Sequence, residues 1–355
     1  MSLSEVKRNM IKNHIIERIG WSEGIKDLDS AGIAEKFGVT AQTIYRYLYK
    51  LEEGGRIIRT PKGRGYTYDL PETIKDYMLP IKGCSEDVAW NMYIEEFVEE
   101  VPECANHIMY YIFTEMVNNA IDHSEGTEIN VIVSKNEFRT EFKIIDNGIG
   151  IFSKIAAALN LPEKRFAVLE LSKGKFTTNP ESHTGEGIFF SSKAADIFLI
   201  NSDNLSFASN VTHDAAPEIA QEYMVWDFPI DKKGTVILFT VHHGHSKTLK
   251  EVFDEFAGVP DEYKFDKTTV PVKLVEFGND NPLFVSRSQA KRLMARFEEF
   301  KNIILDFTNV DEIGQGFADE VFRVFPEKHP DSKLTPVNCS DSVMQMIKRV
   351  QSRNQ

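Results

Sequence analysis

Apolar positions along this chain recur with two different periods, and the change of period marks out its elements. The runs "EINVIVSK", "EFKIID", "IFLIN" and "TVILFTV" alternate or stay apolar over short spans, which predicts strands. Longer helical patterns separate them. The stretch "FTEMVNNAIDHS" (Phe113–Ser124) has an apolar arc made by Ile112, Met116, Val117, Ala120 and Ile121. Glu115, Asn119 and His123 form an i, i+4, i+8 line at the rim of that arc, so a carboxylate, an amide and an imidazole border a face that should be buried. Residues 30–70 read as helix, tight turn, helix and hairpin. Two breaks interrupt the pattern, at "PETIKDYMLPIKGCSED" (71–87) and "AGVPDEYKFDKTTVP" (257–271). Beyond the second, "VKLVEFG", "SRSQAKRLMARFEEF", "NIILDF" and "GFADEVFRVF" predict strand, helix, strand and helix, a small α/β unit.

Length changes this picture little: 355 residues are too many for one ordinary core, so two or three domains are expected. No apolar run approaches the roughly 20 residues of a membrane helix, and the first residues lack the apolar core of a secretory signal. The expectation is a cytoplasmic protein that does not engage a membrane. Cys84, Cys104 and Cys339 are scattered without a CxxC pair, which fits a reducing compartment and argues against a zinc ribbon or disulfide scaffold. Charge is more informative. Residues 1–68 hold 12 Lys and Arg against 8 Asp and Glu, while the whole chain has a formal net charge of -13. A basic head on an acidic body suggests that only the head meets a polyanion.

In the head, Ser30 is placed to cap the first helix and Gly38 to take the positive φ of the turn. Thr40 caps the second helix, which points Ile44, Leu48 and Leu51 inward and leaves Gln42, Thr43, Arg46 and Lys50 outside. The hairpin tip "TPKGRG" presents Lys62 and Arg64. This stretch resembles the winged helix-turn-helix of prokaryotic transcription regulators. The resemblance implies that the second helix enters the major groove of double-stranded DNA with Gln42, Thr43 and Arg46 near base edges. Arg59, Lys62 and Arg64 on the wing would then contact phosphates. A winged helix used for protein contacts is the alternative.

Two segments give the rim of the middle helix a use. "IIDNGIGI" (144–151) places Asp146 at a strand end, followed by Gly148 and Gly150. "SHTGEGIFF" (182–190) puts Thr184, Gly185 and Gly187 at the start of a helix, where backbone N–H groups and the helix dipole can meet phosphate oxygens. The ordered trio, ExxxN on a helix, DxGxG after a strand and a second GxG, resembles the Bergerat-fold (GHKL-type) ATPases, with "NNAIDHS" closest to the histidine kinase and anti-sigma-factor branches. The resemblance implies ATP and ADP as ligands. Asn119 would coordinate Mg²⁺, which takes hard oxygen ligands. Asp146 would accept the adenine amino hydrogen, Gly148 and Gly150 would let the base approach, and Thr235 would lie beside it. Residues 152–183 would form a lid carrying Lys173 and Lys175 toward the γ-phosphate. Glu115 would polarise a water or hydroxyl. There is no GxxxxGK[ST], and neither GxG continues as GxGxxG. His107 lacks the context of a phosphoacceptor histidine, and "VHHGHS" (241–246) reads as a loop, with a metal site as the alternative.

The segment "LDFTNVDEIGQGFADE" carries a resemblance to STAS-like regulatory domains, which implies a protein partner there. Related anti-sigma antagonists have a phosphorylatable serine where this chain reads Gly314-Gln315-Gly316, without a hydroxyl. The expected fold is thus α/β multidomain: a winged helix-turn-helix (1–70), a linker (71–84), a two-layer Bergerat sandwich with a mixed sheet and helices on one face (85–262), and a small STAS-like α/β domain (263–355). The expected function is an ATP-binding, DNA-binding regulator, acting as a homodimer as winged-helix regulators often do. A serine/threonine kinase or ATPase of the anti-sigma type, using the winged helix for docking, is the alternative, and a scaffold without turnover is a third reading.

Overall fold

The computed structural model describes residues 4–21, 25–26, 28–63, 65–175, 185–210, 223–227, 233–257, 265–276 and 284–352. The head begins with α1 (Glu5–Gly20) and a short strand β1 (Ile25–Lys26), then α2 (Ser30–Phe37) and α3 (Ala41–Glu53). The hairpin of β2 (Ile58–Lys62) and β3 (Gly65–Asp69) closes it, with β1 on the far side of β3. Gly38 adopts φ 57° at the turn, and the Thr40 hydroxyl accepts from the Thr43 amide at 3.3 Å, as the sequence leads one to expect. The cap of α2 lies one residue earlier than Ser30. Asp29 accepts from the Gly32 amide, because Ser30 turns its hydroxyl back onto the Leu28 carbonyl. Ile11, Ile15, Ile44, Leu48 and Leu51 fill a core of the head's own, and Phe138 from the middle of the chain packs against it.

The middle of the chain forms a seven-stranded sheet in the order β4-β5-β6-β10-β7-β8-β9. Its strands are β4 (Thr73–Pro80), β5 (Glu128–Lys135), β6 (Arg139–Asp146), β7 (Ile197–Ser202), β8 (Leu205–Asn210), β9 (Tyr223–Asp227) and β10 (Thr235–His242). The two layers are as expected, but the strand directions are not mixed: every described pairing in this sheet is antiparallel. The stretch expected to be a linker contains β4, whose eight residues all pair with β5. Prolines at its ends mask it in the sequence, but an edge strand tolerates Pro80. Alternation sets the layers. Ile129, Val131, Val133, Phe142, Ile144, Phe198, Ile200, Ile237, Phe239 and Val241 are all buried on one face. That face is covered by α4 (Glu86–Ala89) and α5 (Glu95–Val98), joined through a π-helical turn, and by α6 (Glu103–His123), with α7 (Ile151–Ala158), α8 (Phe166–Lys173), α9 (Gly187–Ala194) and α10 (Leu249–Phe256) completing the layer. α6 buries Ile108, Ile112, Phe113, Met116 and Val117 completely.

At the C-terminus, β11 (Lys267–Pro271), β12 (Asn302–Asp306) and β13 (Lys333–Val337) form a parallel sheet. It is flanked by α11 (Arg287–Met294), α12 (Gln315–Asp319), α13 (Phe325–Lys328) and α14 (Asp341–Gln351). The first strand lies earlier than "VKLVEFG" suggests. The β-branched Thr268, Thr269 and Val270 pair with Ile303, Ile304 and Leu305, and a 3₁₀ turn over Val272–Glu276 takes up the apolar residues that follow. The C-terminal unit shares one continuous hydrophobic core with the middle domain. Its seam is aromatic: the Phe265 ring lies 4.6 Å from that of Phe189, 5.0 Å from Phe190 and 5.4 Å from Phe300. No described helix is long and apolar enough to cross a membrane.

Candidate functional site

A cavity of about 290 Å³, at the lower end of ligand pockets, opens beside the rim of α6. Glu115, Asn119 and His123 all line it, as do Asp146 at the end of β6 and Thr235 at the start of β10. Gly150, Gly185 and Gly187 line it too. The floor is apolar, with Met116, Ile144, Ile155, Leu171 and Ile237. The polar rim residues recognised in the sequence therefore surround one concave site that could take a flat, hydrophobic ring system.

Backbone chemistry holds the acid in place. Asp146 Oδ1 accepts from the Gly148 amide at 2.8 Å and from the Thr235 amide at 3.3 Å. Burial pushes the Asp146 carboxyl above the usual carboxylate range, and these donors offset part of that rise. Gly148 does not line the cavity. A Cβ there would collide with the Ser124 carbonyl, so the glycine instead lets the end of β6 lie against the end of α6. Gly234 performs the same service on the other side, at φ 109° against the Asp146 carbonyl. The Thr235 hydroxyl accepts from the Ile151 amide at 3.1 Å, tying the start of α7 to β10.

Two groups bear on a cofactor. The Asn119 side chain sits in the cavity with its buried Nδ2 lacking any hydrogen-bond partner. A buried amide left unmatched is costly unless a ligand completes it, and rotation of the amide can present either its nitrogen or its oxygen. That donor set fits a phosphate–metal ligand. The Glu115 carboxylate lies against Gly187, where a Cβ would collide with it, at the N-terminus of α9. Helix N-termini favour negative charge, so carboxylate and phosphate are both suited to this end of the cavity.

Lys154 also lines the cavity, which sequence reasoning missed. Its Nζ donates to the His123 carbonyl at 2.6 Å and to Glu125 Oε1 at 3.3 Å. A signal existed: a helix that starts after the second glycine of DxGxG puts Ile151, Lys154 and Ile155 on one face.

Lys173 and Lys175, expected at the γ-phosphate, are placed elsewhere. Lys173 is completely buried and donates to Glu170 Oε1 at 2.7 Å and to the Ala295 carbonyl of the C-terminal unit at 2.9 Å. Burial pushes its pKa down, and the Glu170 carboxylate opposes that shift. Lys175 donates to the Glu299 carbonyl at 2.8 Å and lies over the Phe300 ring at 4.7 Å. Both lysines serve the joint with the C-terminal unit. Between them, Gly174 does line the cavity, and its carbonyl accepts from Arg296 Nη2 at 3.1 Å. Thr184 lies outside the described residues.

On the head, Gln42 and Arg46 are exposed on α3 and Thr43 is half-buried. The exposed Tyr45 and Tyr49 share the surface of α3 and were not singled out by sequence reasoning. Arg59 pairs with Glu52 at 3.2 Å and stacks over Tyr66 at 4.5 Å, Lys62 is exposed, and Arg64 lies outside the described residues. In the C-terminal unit, Thr308 donates through its hydroxyl to Asp306 Oδ1 at 2.7 Å, a turn-forming bond that accounts for both residues.

Three family models match the chain. An HTH domain covers residues 26–67. The histidine kinase-, DNA gyrase B- and HSP90-like ATPase domain covers residues 105–207. A STAS-like domain of unknown function covers residues 289–344. No curated protein matches the chain. The protein thus carries, in order, a helix-turn-helix domain, a GHKL-type ATPase domain and a STAS-like domain.

The placement of Lys173 has a measurable consequence. Lys173→Ala takes away the hydrogen-bond donor of the buried Glu170 and leaves it only Arg296 at 3.6 Å, which should cost up to about 3–5 kcal/mol in urea unfolding. Nucleotide affinity per folded molecule should change less than threefold, whereas a loss of tenfold or more would put the lysine back at the phosphates.

Proposed function

We propose that the protein is an ATP-binding, DNA-binding regulator in which occupancy of the cavity controls the head and the STAS-like unit. The observation that carries this reading is the buried, unpartnered Asn119 amide inside a cavity that also holds Asp146 and Thr235. Asp146 would accept from the adenine amino group, with Ile144 and Ile237 against the ring. Asn119 would offer its oxygen to Mg²⁺, whose chemistry there is to neutralise phosphate charge. Lys154 and the N-terminus of α9 would face the phosphates. The ATPase-family match over residues 105–207 supports this assignment.

Control needs contacts that run from the cavity to the other two units, and such contacts exist. Toward the C-terminus, Arg296 holds the carbonyls of Gly174 and Lys175, so the cavity wall and the STAS-like unit share a hydrogen-bond donor. Toward the head, β6 has Asp146 at one end and Arg139 at the other, and Arg139 Nη1 donates to the Gly20 carbonyl of α1 at 3.0 Å. Eight strand residues span about 25 Å. Arg56 of the head also pairs with Glu137, beside the β5–β6 turn. A shift of β6 on nucleotide binding would therefore reach the seat of the head, a rigid-body form of switching.

A second reading rests on Glu115, a carboxylate in the same cavity. With a water or substrate hydroxyl in reach it can act as a base, which would make the protein an ATPase or a kinase.

Three measurements separate these readings. Mg²⁺-ATP at 100-fold excess over its Kd should stabilise nucleotide-free protein by about 2.7 kcal/mol through mass action. Asp146→Asn should abolish the preference for adenine over guanine nucleotides, and Asn119→Ala the dependence on Mg²⁺. An unchanged melting curve at saturating ATP sinks the nucleotide assignment.

The full chain should bind duplex DNA with an affinity that falls by orders of magnitude between about 50 and 200 mM salt. Arg46→Ala should both weaken binding and blur sequence preference. Mg²⁺-ATP should shift DNA affinity at least fivefold in the wild type and not in Asn119→Ala. DNA affinity indifferent to ATP would leave two binding functions and remove the control between them.

With γ-labelled ATP, the expected result is slow phosphate release and no label retained on the protein. Glu115→Ala should lose the release and keep ATP binding. Label that survives denaturation in the wild type and disappears in Glu115→Ala would establish a kinase instead.

A further inference from the structure

Far from the nucleotide cavity, where β10 ends beneath the head, three side chains converge on one point. Asp196 precedes β7, His242 ends β10 and His245 follows in the next turn. One ligand atom from each lies within 4.8 Å of the others. The Asp196 carboxylate is 1% exposed, and the His245 side chain is 10% exposed. Backbone bonds fix all three. The His242 amide donates to Asp196 Oδ2 at 2.7 Å, the Asp196 amide to the Thr240 carbonyl at 3.0 Å, and the His245 amide to the His242 carbonyl at 3.0 Å.

The imidazoles are unusual in what they lack. His242 Nδ1 lies 2.8 Å from Asp196 Oδ2 yet has no hydrogen-bond geometry to it. His245 Nδ1 meets Asp196 Oδ1 at 3.3 Å, and its buried Nε2 has no partner. A short N···O contact without hydrogen-bond direction suits two ligands of a common third atom as well as it suits an ion pair. Ligands of a tetrahedral zinc ion, each about 2.0–2.2 Å from the metal, lie roughly 3.3–3.6 Å from one another. The contact of His245 with Asp196 Oδ1, 3.3 Å, matches that spacing, and that of His242 with Oδ2, 2.8 Å, falls about half an ångström short of it. The nearby His243 is engaged differently, with Nε2 2.9 Å from the Thr140 hydroxyl and Nδ1 3.2 Å from the Glu137 carbonyl.

We propose that Asp196, His242 and His245 form a binding site for a divalent transition-metal ion, zinc first, with a fourth position left to water. The donor set of two imidazoles and one carboxylate suits zinc, cobalt or nickel and does not suit magnesium or calcium. The site lies under the head. The Trp21 ring sits 5.4 Å from that of His242, and Phe138 stacks on His242 at 5.8 Å. Those aromatic rings shield one side of the site and link it to α1. An ion there clamps the end of β10 to the start of β7 and stiffens the surface on which the head rests. This proposal is independent of the nucleotide reading.

The test uses the full chain, stripped with a chelator and dialysed, with no nucleotide present. Titration with Co²⁺ should give the intense visible absorption of a four-coordinate ion, saturating at one equivalent and abolished by one equivalent of Zn²⁺. His245→Gln and Asp196→Asn should each weaken binding at least tenfold, while His329→Gln, distant from the cluster, should match the wild type. Two of the paramagnetically shifted resonances of the wild-type cobalt form should come from imidazole N–H protons, a readout that needs no variant to fold. Fewer than 0.1 equivalents bound, an octahedral spectrum, or unchanged binding in His245→Gln overturns the proposal and leaves the cluster a buried histidine–carboxylate pair.

Discussion

The pairing of β6 with β10 is the constraint on which the rest of the molecule depends. It runs in register from Val236 opposite Ile145 to His242 opposite Arg139. In its middle, Phe142 and Phe239 stack at 4.7 Å and 10°, both fully buried. At one end this register brings Asp146 and Thr235 together, with Gly234 admitting the Asp146 carbonyl at a distance that a side chain would forbid. At the other end it sets Arg139 and His242 side by side under α1. A slip by one residue would turn every inward Phe and Ile outward. The same slip would also separate the acid from its amide donors.

The joint to the C-terminal unit has a different character. Burying an ammonium group is expensive, and the structure compensates Lys173 with a carboxylate and main-chain carbonyls from across the boundary. Arg296, itself at φ 64°, reaches back to Gly174 and Lys175 while lying 3.6 Å from Glu170. Such a network tolerates little relative movement, because each partner lost leaves a buried charge exposed to an apolar surround. The cavity wall at Gly174 is therefore held from outside its own domain.

Much of the layer structure was legible in period alone. "EINVIVSK" and "EFKIID" alternate as β5 and β6 do, and "TVILFTV" carries the continuous apolar character of a central strand in β10. The rim of α6 was legible too, since i, i+4, i+8 spacing puts Glu115, Asn119 and His123 in a row whatever they face. What stayed hidden depends on partners distant in sequence. β4 is a strand because β5 pairs with it, not because its own residues insist on it. Lys173 looks like a phosphate ligand until its side chain is seen to be completely buried. Asp196 is unremarkable by itself, and its histidines lie 46 and 49 residues away. Charge and amide placement follow from tertiary contact, which no local pattern encodes.

The aromatic seam at Phe189, Phe190, Phe265 and Phe300 has a bearing on cooperativity. Three modules succeed one another along the chain, but the described residues assemble into two hydrophobic clusters, one of them common to the ATPase and STAS-like modules. Units that share a core are expected to lose it together, so these two modules should melt as a single thermodynamic block, with the head, on its separate core, free to open first. Excising the STAS-like module would strip the ATPase module of part of its interior. In a rearranged gene, the head could be exchanged as a cassette, while the other two modules would have to travel as a pair.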